Sequence, residues 1–237
     1  MAMRIDSVRK KASGSLEVAV SGGLLFCFDE VDAQLLELSS NNSSLDVYSL
    51  TEHSEGESID EEMILLLSRL STLHRARNDA LLLISRAEQA SRQLYQKLLK
   101  KGYEPEIAHI CIRWICSEHY VDDRRYVRML FQSHCVNRGQ GPTRMQALAW
   151  PRIGLFENPQ TILADSMATI PESDFMEAIK KNVESLLRKP STFSRLNLNT
   201  ISERRSFLRS FLRRQGFPYQ SVETFIETLV LKENKND

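Results

Sequence analysis

The sequence predicts a mainly α-helical protein, with about nine helices in tandem three-helix repeats that form an elongated curved rod behind a small N-terminal β-hairpin unit. Three observations predict this fold. From residue 59 onward, apolar residues recur at helical spacing. Only nine glycines and seven prolines interrupt the 237 residues, so long helices are possible. Three times, a helix with a basic end stops near a glycine, and an apolar residue and a further apolar-striped helix follow.

The first 58 residues predict a small acidic β-hairpin module and a linker. Residues 15–20 and 24–28 alternate or run apolar and indicate two strands, with Gly22 and Gly23 available for the turn between them. Residues 29–38 indicate a short helix. Residues 39–58 are rich in Ser, Asn and Glu and indicate a loop or linker.

The helices of the remaining chain group into three repeats, at residues 59–120, 121–170 and 171–237. We expect one long helix from residue 59 to about residue 86, and a fifth helix over residues 142–153. The other predicted helices are centred on Leu94–Leu98, Ile107–Ile115, Tyr126–Cys135, Ile162–Met167, Phe175–Leu187, Ile201–Gln215 and Val222–Leu229.

Each repeat is expected to contain one glycine joint, and the three joints end at Tyr103, Leu155 and Phe217. Gly102, Gly154 and Gly216 would take the left-handed position that ends a helix, with the following apolar residue packing back on the last turn. Because a three-helix unit is too small to bury its apolar faces alone, we expect the units to stack side by side. A compact bundle of the same helices remains the alternative.

Two short motifs lie at successive helix joints of the second repeat. The first, the VDDRRY motif (residues 121–126), places Asp122 where a carboxylate can accept the free N–H groups of a helix start. The second, the Gly-Pro motif (residues 138–144), offers Gly139 to end that helix and Pro142 to open the next. A catalytic or metal-binding role for Asp122 and Asp123 is disfavoured, because adjacent carboxylates at a helix start diverge.

Charge is distributed very unevenly along a chain whose net charge is zero. Residues 12–68 contain twelve Asp/Glu and no Lys or Arg, whereas residues 69–150 contain fourteen Lys/Arg against seven Asp/Glu. The basic part could bind an anionic partner, such as nucleic acid or an acidic protein surface. Alternatively, the two parts neutralise each other.

Residue patterns for catalysis or cofactor binding are weak. The histidines and cysteines near residues 109–135 include Cys116 and His119, three apart on a helix, but a structural role is favoured over a metal site. No nucleophile motif or phosphate-binding loop is recognisable. We therefore expect no enzymatic activity, no cofactor and no metal. Four scattered cysteines, no secretory signal and no apolar run of about 18 residues predict a cytoplasmic protein without a membrane contact.

Three segments together resemble the RecX family, bacterial modulators of the RecA recombinase. The first runs from Ala80 through the SRAE sequence at residues 85–88 to the KGY sequence at residues 101–103. The other two are the VDDRRY motif, close to the family's Y-L-D-D-x-R-Y/F, and the Gly-Pro motif, close to its R-x-x-G-x-G-P-x-R-I. The likeness covers roughly residues 75–232. It departs from the family at Ala147-Leu148-Ala149, which replaces a Glu-Leu pair, and at Trp150-Pro151.

The resemblance implies a monomeric helical protein that lodges in the groove of the RecA–DNA filament and suppresses filament growth, ATP hydrolysis, strand exchange and coprotease activity. Single- or double-stranded DNA is a further candidate partner, and a helical module that binds DNA directly is the alternative function. Basic residues are the candidates for contact with filament or DNA. They are Arg92, Lys97, Lys101, Arg124, Arg125, Arg128, Arg138, Arg144, Arg205, Arg209 and Arg213.

Overall fold

The computed structural model describes residues 3–40, 56–188 and 200–233. Its described residues contain ten α-helices and a four-stranded antiparallel sheet. The chain divides into two compact units, Met1–Val121 and Asp122–Asp237. This division coincides, within one residue, with the predicted junction between the first and second repeats. The predicted repeat boundaries and the extended stacking of the repeats stay predictions.

The first unit begins with a sheet in the order β3-β2-β1-β4. Its strands are β1 (Met3–Lys10), β2 (Leu16–Val20), β3 (Leu24–Phe28) and β4 (Ser58–Ile59). The predicted hairpin corresponds to β2 and β3, whereas β1 and β4 were not predicted. Strand β1 alternates apolar and charged residues at its start and carries three Lys/Arg, so its sequence indicates a basic segment and predicts no strand. Most of the predicted linker, residues 41–55, lies outside the described residues.

Four helices complete the first unit. They are α1 (Glu30–Ser40), α2 (Glu61–Arg86), α3 (Ser91–Lys100) and α4 (Pro105–Ser117). Helix α2 is the organising element, because it packs against β3 on one side and α4 on another. Its leucines Leu67, Leu70 and Leu73 are at most 1% exposed, as the predicted stripe required. Asp60 caps α2 by accepting the N–H of Met63 at 2.8 Å.

The second unit contains two further groups of three helices. The first group is α5 (Asp123–Leu130), continued by a π-helical turn (Phe131–Val136), then α6 (Pro142–Ala149) and α7 (Pro159–Ala168). The second group is α8 (Glu172–Leu187), α9 (Ile201–Arg214) and α10 (Tyr219–Glu233). Phe131 packs edge-on against Phe175 of α8, with ring centroids 5.1 Å apart, so the two groups share a core.

The fifth predicted helix is shorter than expected. Residues 142–153 were predicted to be helical, but α6 ends at Ala149. Pro151 explains the difference, because its ring displaces the preceding turn and it has no N–H to donate. Gly154 has a φ of +76° but lies beyond the helix end, so it does not cap α6 as predicted. Its N–H instead donates to Asp123 Oδ2 at 2.7 Å.

The first and third joints are Schellman motifs of the same form. In the first, Gly102 (φ +91°) donates to the Leu99 carbonyl at 3.0 Å, and Tyr103 donates to the Leu98 carbonyl at 3.3 Å. In the third, Gly216 (φ +86°) donates to the Arg213 carbonyl at 3.0 Å, and Phe217 donates to the Leu212 carbonyl at 3.3 Å.

Candidate functional site

The VDDRRY motif holds the first helix group of the second unit together. Asp122 is the N-cap of α5 and accepts the N–H groups of Arg124 and Arg125 at 2.8 and 3.1 Å. Asp123 accepts the N–H of Gly154, in the loop before α7. The two carboxylates therefore serve different backbone groups and do not converge on a common cavity.

Arg124 is held in an internal ion pair. Its guanidinium donates to Glu157 at 2.8 Å and to Asp165 of α7 at 2.6 Å. The hydrogen bond to Glu157, followed by that to Asp165, raises the pKa of Arg124 above its ordinary value. The same guanidinium lowers the pKa of Glu157. This arginine fastens α5 to α7, and the partner-binding role predicted for it stays a prediction.

The Gly-Pro motif makes a tight contact with the second helix group of the second unit (α8–α10), and we call this contact the glycine seam. A Cβ added at Gly139 would lie 2.8 Å from the backbone of Lys181, and one at Gly141 would lie 2.5 Å from Gln215. The Gly139 carbonyl accepts the side-chain amide of Asn182 at 2.6 Å. Such close approaches require residues without side chains.

Free backbone groups at two helix ends form a hydrogen bond with each other across the glycine seam. Pro142 is in the first turn of α6, where its missing N–H costs no hydrogen bond. The next residue, Thr143, donates its N–H to the Gln215 carbonyl at the end of α9, at 3.0 Å. A free donor of one helix start thus pairs with a free acceptor of another helix end. The Gly-Pro motif is therefore a packing device between helix groups.

Five of the predicted contact residues take part in internal contacts of their own. Besides Arg124, Lys97 donates to Gln89 at 2.7 Å and Lys101 pairs with Asp79 at 3.0 Å. Arg209 forms a bidentate pair with Glu223 of α10, with its shortest distance at 2.7 Å. Arg213 lies 5.4 Å from the ring centroid of Tyr219. Arg209 and Arg213 of α9 thus both contact residues of α10.

Three predicted arginines have side chains without an ion pair or hydrogen bond within the part of the chain that the structure describes. These are Arg128 on α5, Arg138 after the π-helical turn and Arg144 on α6, and all three are exposed. We call them the exposed arginine set. Arg92, Arg125 and Arg205 have other interactions. The exposed arginine set is therefore the part of the predicted basic surface that is available to an anionic partner.

A buried ionic cluster in the first unit was not predicted. Asp29 and Asp32 cap the start of α1 by accepting each other's N–H groups at 3.0 and 2.9 Å. Arg77 of α2 donates to both carboxylates, at 2.7 and 2.6 Å, and His74 lies 2.7 Å from Asp32. Arg77 also lies 4.6 Å from the ring centroid of Trp114. A signal was present, because Arg77 occupies a core position in the apolar stripe of α2.

The two carboxylates of this cluster have the Arg77 guanidinium as their counter-charge. Asp29, Asp32 and His74 have potential metal-ligand atoms within 4.8 Å of one another. However, the Arg77 guanidinium already takes the position between the carboxylates and supplies the positive charge. Burial raises the pKa of Asp32 and the Arg77 charge only partly opposes this rise. Burial also raises the pKa of Asp29, but its hydrogen bond with Arg77 brings the pKa below its ordinary value.

The sulfur chemistry of the two buried thiols is suppressed. Burial raises the pKa of Cys111 and of Cys135 to about 12, so both thiols are protonated near neutral pH and are poor nucleophiles. Cys116 and His119 are not part of a metal-ligand group among the described residues. Within those residues, no helix is both long enough and apolar enough for a membrane span.

Comparisons with known proteins agree on one family. The family model for the first three-helix domain of RecX matches residues 76–113, which cover the C-terminal part of α2, all of α3 and most of α4. The regulatory protein RecX of Halorhodospira halophila is 36% identical over 69 residues, which are 29% of this chain and 42% of that protein. The RecX of Vibrio parahaemolyticus is 31% identical over 106 residues, 44% of this chain and 64% of that protein. The matches thus span 42% to 64% of these relatives' length.

Two crystal structures of RecX proteins share the fold. The likeness to a crystal structure of regulatory protein RecX covers 95% of this chain and 99% of that chain, with a TM-score of 0.62 at 15% sequence identity. The crystal structure of RecX from Lactobacillus salivarius covers 68% of this chain and 97% of its own, with a TM-score of 0.52 at 16% identity. Both likenesses extend beyond the segment matched by the family model.

Proposed function

Since the chain shares sequence segments and its fold with RecX proteins, we propose that it belongs to the RecX family and regulates a RecA recombinase by binding in the groove of the RecA–DNA filament. Bound there, it inhibits filament growth, ATP hydrolysis, strand exchange and coprotease activity. The proposed setting is the cytoplasm, during DNA repair and the SOS response. The observation that carries the proposal is the exposed arginine set, held on helices that the glycine seam fixes in place.

The proposed mechanism is occupancy and involves no covalent chemistry. A protein with several helix groups can contact several filament subunits at once, so many modest contacts add to a high avidity. The exposed arginines supply attraction to phosphates or to acidic side chains of the filament. The paired arginines, such as Arg124 and Arg209, supply the rigidity that keeps the helices in register.

The first test is an inhibition assay with a RecA recombinase. At equimolar protein, we expect DNA-dependent ATP hydrolysis and strand exchange by RecA to fall at least fivefold. Unchanged rates of both reactions would refute the proposal. Filament binding should also saturate at a fixed ratio of this protein to RecA.

Charge reversal then tests the exposed arginine set. We expect Arg138→Glu and Arg144→Glu, combined, to weaken filament binding by at least tenfold, because two attractive contacts become repulsive. Lys180→Glu is the matched control, since Lys180 is also exposed on the second unit and has no ion pair among the described residues. Full inhibition by the arginine variant would exclude these residues from the contact surface.

A direct DNA-binding function is the second candidate, and the same exposed arginines favour it. Binding to protein-free DNA would then be independent of RecA and would weaken steeply with salt, with a log–log slope of about −0.7 to −0.9 for each phosphate contact. Measurement of binding to single- and double-stranded DNA between low and physiological salt distinguishes the two functions. Submicromolar binding to bare DNA at physiological salt, without inhibition of RecA, would support this second function.

A further inference from the structure

Helices α6 and α7 enclose an open groove on the surface of the second unit. Helix α6 together with its C-cap residue Trp150, and helix α7, each contribute four residues at the spacing i, i+3, i+4 and i+7, starting at Thr143 and at Gln160. The groove has a volume of about 560 Å³. Both helices pack against α5, which leaves a channel between them. In ridges-into-grooves packing, the groove between two side-chain ridges of this kind accepts the ridge of another helix.

The groove is apolar and has small residues within it. Ala147 and Ala164 are both exposed and let another backbone approach closely. Trp150, Leu163 and Met167 add apolar surface, and the Trp150 side chain is 43% exposed. An exposed tryptophan beside apolar neighbours is typical of a protein-interaction surface.

The lining indicates which class of partner fits. It contains no Lys or Arg, so a phosphate backbone would find no counter-charge inside the groove. The amides of Gln146 and Gln160 are neutral. Arg144, a member of the exposed arginine set, directly follows Thr143 on α6 and places one unpaired cation beside the groove. An apolar channel with one adjacent positive charge complements an amphipathic helix that carries a carboxylate beside its apolar row.

We propose that the α6/α7 groove seats an amphipathic helix of the protein partner, with Trp150 packed on its apolar row and Arg144 paired with its carboxylate. The inference rests on the proposed function, because the partner is then a subunit of the recombinase filament. It assigns protein contact to this groove and leaves phosphate contact to Arg128 and Arg138. Two of the residues at which the sequence departs from the family pattern, Ala147 and Trp150, line this groove.

Filling the groove tests the proposal. Ala147→Arg and Ala164→Arg each introduce a long charged side chain, and because both alanines are exposed, thermal unfolding should be little changed. We expect each substitution to weaken binding to RecA filaments on single-stranded DNA by at least tenfold. Thr161→Arg is the matched control, because Thr161 is exposed on α7 outside the groove lining. It should bind within twofold of the wild type.

The outcomes separate this inference from the proposed function. Wild-type protein that ignores RecA filaments would refute both. Filament binding that is normal for the wild type, Ala147→Arg and Ala164→Arg would refute the groove alone. A loss of binding to protein-free DNA in the two groove variants, with Thr161→Arg unaffected, would also overturn the inference, since the groove would then contact nucleic acid.

Trp150 gives a second readout that requires no groove variant. The chain has two tryptophans, so 5-fluorotryptophan labelling gives two ¹⁹F resonances, which Trp114→Phe assigns. We expect a soluble paramagnetic agent to broaden the Trp150 resonance in the free protein, and binding of RecA filaments to reduce that broadening at least threefold. A Trp150 resonance that is already protected in the free protein, or unprotected in the complex, would contradict the proposal.

Discussion

The first and third joints share a local structure but differ in their surroundings. Both are Schellman motifs, in which a left-handed glycine precedes a residue that packs back on the helix. A Cβ added at Gly102 would meet nothing within 4 Å, whereas one at Gly216 would lie 2.3 Å from Thr143 Oγ1. The first joint therefore needs glycine only for its backbone conformation. The third joint needs glycine for its conformation and for the glycine seam.

The largest expected effect is that of Gly216→Ala. The substitution adds left-handed strain of about 1–2 kcal/mol and a steric clash of about 1–3 kcal/mol, so we expect the second unit to lose roughly 2–5 kcal/mol of unfolding free energy. Urea unfolding, followed by Trp150 fluorescence in a Trp114→Phe background, measures it. A loss below about 1 kcal/mol would show that the seam can open without cost.

Gly102→Ala is the matched substitution at the first joint, and its expected effect is smaller. Because the added methyl group meets open space, only the left-handed strain of about 1–2 kcal/mol is expected. Trp114 fluorescence in a Trp150→Phe background reports this loss in the first unit. If Gly102→Ala destabilised its unit as strongly as Gly216→Ala, the distinction between the joints would be wrong.

This pair of glycines also shows what sequence could predict. The helix ends at Lys100 and Arg214 follow from local signals, namely basic last turns, a glycine and an apolar successor. The contact of Gly216 with Thr143 joins residues 73 positions apart, and no local pattern encodes such a distance. For the same reason, the sequence placed Asp122 at a helix start but gave no sign that Asp123 accepts the N–H of Gly154.

The basic residues illustrate the same division. Their positions on α5, α6 and α9 follow from helical periodicity. Periodicity shows only that a side chain lies on the side of its helix that faces away from the protein core. Whether a neighbouring helix places an acidic residue within reach of that side chain depends on how the helices pack. Arg209 meets Glu223 of α10, whereas Arg144 meets no carboxylate among the described residues. Strand β1 was missed because its alternating charges occupy positions that a sheet leaves in water.

A third Schellman motif, at the end of α4, sharpens the comparison because it has no glycine. His119 takes the left-handed position with a φ of +59°, and Tyr120 donates to the Ile115 carbonyl at 3.1 Å. We expect His119→Gly to be about 1 kcal/mol more stable than His119→Ala, since both lose the imidazole but only glycine relieves the strain. Trp114-monitored unfolding of the two variants tests this. Equal stability would show that the backbone at this joint is not strained.

The smallest expected effect concerns the residue that follows glycine in the first joint. Tyr103 donates its hydroxyl proton to Asp79 at 2.8 Å, whereas the equivalent Phe217 has no ionisable group. Burial, followed by the hydrogen bond to Asp79, raises the pKa of Tyr103 to about 12. The stability that this hydrogen bond contributes is therefore fully present below the ordinary tyrosine pKa of about 10 and is lost as the pH rises towards 12.

We accordingly expect Tyr103→Phe to cost the first unit about 1 kcal/mol at pH 8, and less at each step above pH 10. The difference between wild type and variant is the quantity to measure, because other tyrosines and lysines titrate equally in both proteins. The stability of the second unit, which contains the third joint with Phe217, should not differ between wild type and Tyr103→Phe at any pH. A wild-type advantage that stayed constant from pH 8 to pH 12 would contradict this expectation, because it would mean that the advantage does not depend on the hydroxyl proton that Tyr103 donates to Asp79.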